Sequence, residues 1–452
     1  MPNSEPARIG RLSSRREFLR RSAAGGAVGA LAAAAVPRVH AAEAGAIKLA
    51  LIGCGGRGTG AVADAYANNG GPVRLVAMAD IFEHKINGSF KNLNDRFAQQ
   101  MDVPAERRFL GFDAYKKAID CLGPGDVAIL TTSSVFRPLH FEYAVQKGVN
   151  VFMEKSFAVD APGTRRLLKA AAESEKKGLR VGCGFMWRHS QARKEVIARI
   201  HDGAIGDVHT LRIYRVHGPV HCGKLPPGQN EIMFQLQRPV CFNWVTGGFF
   251  IDWHCHNVDV ACWAKNAWPV SAQGMGGRAY AEAGNLFDHY TVEYTFADGG
   301  KLFAFSRHMA GCWQTYADYA HGSKGSAMLM ANLATPNCRI YKAQKMTDDE
   351  VVWKFEGREP NPYQVEWQVL LDAIRQNQPH NEARRAGEAN LATLMGRMAT
   401  HSGQLVTWEE AMASNFEYIA DVDHLTFDTP APIKAGPDGL YACSQPGITK
   451  DY

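Results

Sequence analysis

A chain of 452 residues is too long for one ordinary domain and suits two or three. Its 46% apolar and 21% charged residues form an ordinary globular balance that allows a sizeable core. The net charge of +5 gathers at the N-terminus, in Arg8, Arg11, Arg15, Arg16, Arg20, Arg21 and Arg38. No basic run interleaved with aromatics follows residue 40, which argues against a nucleic-acid partner.

The first forty residues read as an address rather than a fold. Ser14-Arg15-Arg16-Glu17-Phe18-Leu19-Arg20 precedes a weakly apolar Ala/Gly stretch from Ala23 to Val36, and small residues at Ala41 and Ala42 offer a cleavage point. The pattern resembles a twin-arginine signal peptide over 1–42. It implies recognition by the twin-arginine export machinery and a periplasmic or secreted location. The stretch is too short and Gly/Ala-rich to span a bilayer well, and no other long apolar run occurs, so the mature form is expected not to span a membrane. Ten scattered cysteines, with no CxxC and no paired spacing, read mostly as buried or free thiols, with room for one or two bridges.

A short apolar run, Ile47 to Ile52, ends at Gly53-Cys54-Gly55-Gly56-Arg57-Gly58. The glycines at 53, 55 and 58 follow G-x-G-x-x-G, and a helix over about 59–68 should follow. Gly53 permits the tight turn, Gly55 lets a pyrophosphate approach the backbone, and Gly58 lets the helix pack on the strand. The helix start then offers free N–H groups and a positive dipole end to phosphate. A second strand, Arg74 to Ala79, ends at Asp80, roughly 20 residues on, where a ribose-binding carboxylate is expected. Asp80 can accept from both ribose hydroxyls and would repel a 2′-phosphate, which favours NAD over NADP. Further strands at 126–132 and 150–153, with a helix over 137–147 carrying His140 between them, imply a parallel sheet. Thr131, Thr132, Glu154 and Lys155 then stand at strand ends, where such sheets bind ligands.

Several markers in order resemble the Gfo/Idh/MocA family of oxidoreductases, over about residues 46–415. They are the glycine turn at 53–58, Thr131-Thr132 before His140, Glu154-Lys155, and Gly247-Gly248 leading to Asp252, His256 and Asp259. Asn361-Pro362-Tyr363 and Gly403-Gln404-Leu405-Val406-Thr407-Trp408 follow. The resemblance implies an α/β fold: a doubly wound Rossmann domain at 46–170, then an α+β substrate and oligomerisation domain at 171–425 with a large, mainly antiparallel open sheet. A C-terminal arm at 426–452 would be extended, wrapping a neighbour or disordered. The likeness further implies tightly held NAD(H), a small carbohydrate or polyol substrate and a homo-oligomer, dimer or tetramer. Two departures stand out. Ser156 replaces the usual proline after Glu-Lys, which should affect turn stiffness more than chemistry. His254 replaces a usual glycine, and its imidazole would narrow or join the pocket.

Asp252, His256 and Asp259 are spaced i, i+4 and i+7, which on a helix is one face. A polar face in an apolar segment must find partners or serve a ligand, and the bland alternative is carboxylates paired with arginines elsewhere. Oxidation at a carbinol needs a group to take the hydroxyl proton. His256 titrates near neutrality unaided, whereas Lys155 must be desolvated or placed beside another cation. The resemblance assigns both to acid–base and substrate-polarising roles, with Asp252 binding substrate hydroxyls and orienting His256. His256 is the favoured base and Lys155 the holder of the oxygen, with the exchange of roles open. Asp259 binds substrate or braces the helix. No metal is expected, because His254 and His256, at i and i+2, point apart. Arg188, His189, His217, His221, Trp244 and His289 fall in loops or strand ends, and Trp187 and Trp244 offer flat faces to a sugar ring.

Beyond the site, 208–214, 290–296 and 301–305 read as strands, the last two joined by the Asp298-Gly299 turn. Residues 217–246, rich in Pro and Gly, read as a long loop shaping the pocket. Helices are expected at about 364–376 and 385–402. The leading reading is an NAD(H)-dependent oxidoreductase of sugars, cyclitols or related polyols. The alternatives are a glycosidase using bound NAD for transient oxidation and elimination, and a non-catalytic binding protein with a vestigial nucleotide site.

Overall fold

A computed structural model describes residues 45–451 apart from 281, 283 and 332–336. The twin-arginine segment lies outside the described residues. Among the described residues no helix is long and apolar enough to cross a membrane.

The first sheet is wholly parallel. Its strands are β1 (Ile47–Ile52), β2 (Val73–Asp80), β3 (Arg108–Leu110), β4 (Val127–Leu130), β5 (Asn150–Met153) and β6 (Val181–Cys183), in the order β3-β2-β1-β4-β5-β6. β1, β4 and β5 are almost continuously apolar because helices cover both faces. The strand order reverses between β1 and β4, and a crevice opens there at the C-terminal strand ends. The sheet runs past residue 170 to β6, and the much later helix Pro362–Arg375 packs Trp367, Leu370 and Leu371 into its core.

The second sheet has nine strands: β7 (Val208–His217), β8 (Ser271–Gly277), β9 (His289–Thr295), β10 (Lys301–His308), β11 (Thr315–Gly322), β12 (Ser326–Ala331), β13 (Arg339–Tyr341), β14 (Val351–Lys354) and β15 (Val406–Thr407). All neighbours are antiparallel except β7 and β10. The hairpin β9–β10 closes at the expected turn, where Asp298 Oδ1 accepts from the Gly300 N–H at 3.0 Å. Alternating burial along β10 shows one face on helices and the other turned outward. Helices Gly248–Lys265 and Ala383–Ser402 cover the inner face, with Val258, Ala261, Leu391, Met395 and Met398 in one core.

Two expectations need correction. The segment 217–246 is not structureless. Asn230 caps a helix at Glu231–Gln237 by accepting from the Met233 N–H at 3.1 Å. Ile232 and Leu236, one turn apart, bury that helix in a core with Phe234 and Trp244. Cys222 and Cys241, 19 residues apart, form a disulfide across the segment, a pairing that spacing alone does not reveal. The second correction concerns the C-terminal arm, which folds back on its own chain. Leu225 N–H donates to Gly439 O at 2.9 Å, Arg278 Nη1 donates to Tyr441 O at 2.8 Å, and Asp451 Oδ2 lies 2.8 Å from His401 Nδ1.

Candidate active site

β1 delivers the chain to Gly53, whose φ of +100° suits glycine, and a Cβ there would meet Thr132 N at 2.6 Å. At Gly58 a Cβ would meet Gly53 O at 2.1 Å. Gly55 and Gly56 differ: nothing lies within 4 Å of a built Cβ, so both face open space where a ligand can approach the backbone. The helix begins at Gly56, earlier than expected, with no side chain capping its first N–H groups. Those free donors and the helix dipole suit a pyrophosphate.

β2 carries Asp80 to the edge of the same crevice. Its Oδ2 accepts from Cys54 N–H at 2.7 Å and its Oδ1 from Phe82 N–H at 2.9 Å. Each oxygen keeps a lone pair for a ribose hydroxyl. Thr131 Oγ1 donates to Gly53 O at 2.6 Å, and Thr132 Oγ1 lies 3.1 Å from His140 Nδ1. Burial, with Arg137 and Arg166 nearby, holds His140 neutral at about 3. Asp80, Thr131, Thr132 and His140, with Gly53, Gly55, Gly56, Arg57 and Gly58, line a cleft of about 360 Å³. Phe82, Phe112, Tyr115 and Phe136 supply its apolar walls, and Leu236 and Pro239 of the capped segment close one side. No local pattern in the sequence marked those last two, because they reach the cleft from a segment distant along the chain. The free N–H groups, the open space at Gly55 and the acid at the far rim together fit a dinucleotide with an unphosphorylated ribose.

Glu154 and Lys155 leave β5 beside the cleft without lining it. Buried Glu154 lies 2.8 Å from Arg57 Nε, and Arg57 also pairs with Asp64 at 2.9 Å. Arg57 is thereby anchored to acids at the glycine turn. Lys155 crosses to the helix Gly248–Lys265, where Nζ donates to Asp252 O at 2.5 Å and Oδ1 at 3.1 Å. Burial opposes charge on Lys155, but Asp252 and Glu154 outweigh it and hold the ammonium above its ordinary value. Ser156 does more than replace a ring: its hydroxyl lies 2.7 Å from Ser134 Oγ and donates to Thr246 O at 3.3 Å.

His256 stands one turn beyond Asp252. Its Nδ1 is buried without a hydrogen-bond partner, while the residue as a whole stays partly exposed. Burial, then the charges of Lys155, Arg215 and Arg193, keep its imidazole neutral, well below the usual histidine value. The structure thus brings together a charged ammonium, a carboxylate and a neutral imidazole.

Other candidates fall elsewhere. Asp259 is 1% exposed and gripped by Arg188 at 2.8 Å and Arg385 at 3.2 Å, so both Asp259 and Arg188 brace the helix. His254 is fully buried with neither ring nitrogen bonded, and burial with Arg215 nearby holds it neutral at about 3, so it does not join a pocket. Trp244 is likewise fully buried, its Nε1–H donating to Gln235 Oε1 at 2.6 Å; its ring is core and offers no sugar platform. Trp187 is half-buried, and its Nε1–H donates to the Tyr316 hydroxyl at 2.7 Å.

No family model matches the chain. An inositol 2-dehydrogenase of Azotobacter vinelandii is 25% identical over 289 residues, 62% of this chain and 77% of that protein. Among solved structures, an aldose-aldose oxidoreductase of Caulobacter crescentus, complexed with glycerol, superposes with a TM-score of 0.62 at 16% identity, covering 80% of this chain and all of that one. An oxidoreductase of Agrobacterium radiobacter, in complex with NAD+, L-tartaric acid and magnesium, gives 0.61 at 14% identity over 81% of this chain and 99% of that one. Sequence likeness to inositol 2-dehydrogenases, joined to this fold and dinucleotide cleft, makes the chain an NAD-dependent oxidoreductase.

Proposed function

We propose that the protein moves a hydride between NAD(H) and a carbinol carbon of a sugar, cyclitol or related polyol, with His256 and Lys155 handling the hydroxyl. The observation that carries this is the joining of Lys155 to Asp252 one helical turn from His256, beside the dinucleotide cleft. NAD, when bound, supplies the hydride acceptor for oxidation and the donor for the reverse. The neutral His256 imidazole takes the hydroxyl proton as the C–H bond breaks, the hydride passes to NAD and a carbonyl forms. Lys155, held as a cation, steadies the oxygen as negative charge develops on it. Asp252 keeps the ammonium charged and in place.

The wider reading is of an exported enzyme that keeps its cofactor. Ser14 to Arg20 support twin-arginine export to the periplasm or beyond, where free NAD is scarce. The cap holding Leu236 and Pro239 against the cleft, stapled by Cys222–Cys241, supports slow release of the dinucleotide. The outward face of the second sheet, with exposed Met275 and half-buried Phe303 and Phe305, supports association with a second copy of the chain.

The test is to mix purified protein and NAD+ with a panel of sugars, cyclitols and their acids and follow reduced-nicotinamide absorbance. A rise with at least one compound is expected. Aglycone release from aryl glycosides without net reduction of any panel member would contradict the assignment.

A further inference from the structure

Two arginines whose charges act on the His256 imidazole have no part in the chemistry described above. Arg215 lies in β7 opposite Tyr316 of β11. Its guanidinium carbon is 4.3 Å from the centre of the Tyr316 ring and 5.2 Å from that of Trp253, so two aromatic rings clamp it. Trp253 stands on the site helix between Asp252 and His256. Among the described residues no acid lies within ion-pair distance of Arg215, and its buried Nε has no hydrogen-bond partner. Arg193 is almost fully buried. Its guanidinium carbon is 3.9 Å from the Trp187 ring centre, and Trp187 in turn donates to Tyr316. The nearest acid by register is Asp318, which pairs with Ile213, two residues from Arg215. It is a poor counterion: Oδ1 accepts from Asn257 Nδ2 at 2.6 Å, and burial pushes the carboxyl up to about 7.

An unpaired buried N–H is costly, and a folded site that keeps one commonly satisfies it with ligand. A guanidinium stacked on aromatic rings is a fixed fork of donors whose plane matches two carboxylate oxygens. Lys155, the other cation at the site, is already joined to Asp252. Both arginines also help depress the His256 imidazole, which puts their charge within range of the reacting hydroxyl. A neutral cyclitol would add nothing to the partial counter-charge of Asp318.

We propose that Arg215 receives a carboxylate of the substrate, so that the substrate class is a sugar acid, an aldonate or uronate, oxidised or reduced at a hydroxyl-bearing carbon. This rests on the reading of Lys155 and His256 as the reacting pair, and it can fail separately from that reading. The test is calorimetric titration of the NADH-loaded protein, in which polyol oxidation is blocked, with gluconate and glucuronate against sorbitol and myo-inositol. The acids should bind at least about tenfold more tightly than the neutral compounds. Arg215→Leu should weaken acid binding about 100-fold, leave NADH and neutral polyols within about threefold, and Arg215→Lys should recover part of the loss. Equal affinity for acids and neutral polyols, no binding of either, or an Arg215→Leu protein that keeps the acid preference would each overturn the proposal. Acid binding that depends on Arg215, in a protein that oxidises none of the panel, would uphold the carboxylate contact and sink the hydride-transfer reading.

Discussion

Asp252 and Asp259 sit on one helix, seven residues apart, and their surroundings make them opposites. Asp252 shares a single ammonium with the site, and its side chain keeps 13% of its surface. Asp259 keeps 1% and is held by two guanidinium groups, that of Arg188 as a fork and that of Arg385 through one nitrogen. A carboxylate held by one flexible cation can keep that cation charged and poised for a ligand. One held by two guanidinium groups is saturated and fixes the helix. Equal spacing on a helix face therefore says nothing of role until the partners are known.

Substitutions can break this contrast. Lys155→Ala should have the largest effect, lowering kcat about 10³-fold while NAD affinity, read by titration, stays within about threefold. Near-normal turnover would remove Lys155 from the chemistry. Asp259→Asn should do the reverse. It should cost about 3 kcal/mol in denaturant unfolding by leaving two partly buried arginines short of charge, with kcat within about threefold. A stable Asp259→Asn protein that had lost activity would make Asp259 a site residue after all. Asp80→Ala should weaken NAD about tenfold and relax the bias against NADP, because two ribose-facing acceptors and the anchor of the glycine turn go together. An unchanged NAD/NADP ratio would show that Asp80 does not read the ribose.

The remaining prediction concerns pH and stability, not turnover. His140 and His254 are held near 3 in the folded protein, below the unfolded value of about 6.5. The unfolded chain therefore takes up protons first, and stability should fall as pH drops from about 6.5 and flatten near about 3. His254→Phe should lessen that slope by about 1.4 kcal/mol per pH unit between about pH 6 and 4. An identical slope in unfolding curves would show that His254 is not held neutral.

The dinucleotide half of the molecule was legible because its demands are local. Gly53 and Gly58 are needed where a Cβ would strike backbone, and Asp80 must end a strand, so motif and spacing carry the geometry. The site helix was legible in part. Spacing aligned Asp252, His256 and Asp259 but could not separate site from brace, nor show that His254 faces only core. Trp244 misled because an aromatic that suits a sugar also suits a hydrophobic core, and its burial is decided by Phe242, Tyr441 and the capped segment. The Cys222–Cys241 bridge, the helix at Glu231–Gln237 and the folding back of the arm depend on contacts distant in sequence. Arg215 went unnoticed because nothing around β7 announces what its guanidinium meets across the sheet.

The most direct measurement traces the hydride. The protein is incubated with NAD+ and the compound it turns over, deuterated at its carbinol carbons, and the recovered nicotinamide is weighed by mass spectrometry. Deuterium should appear on the nicotinamide ring of the wild type and be lost from the Lys155→Ala and His256→Ala proteins. Product formed with no deuterium in the cofactor would contradict hydride transfer at this site.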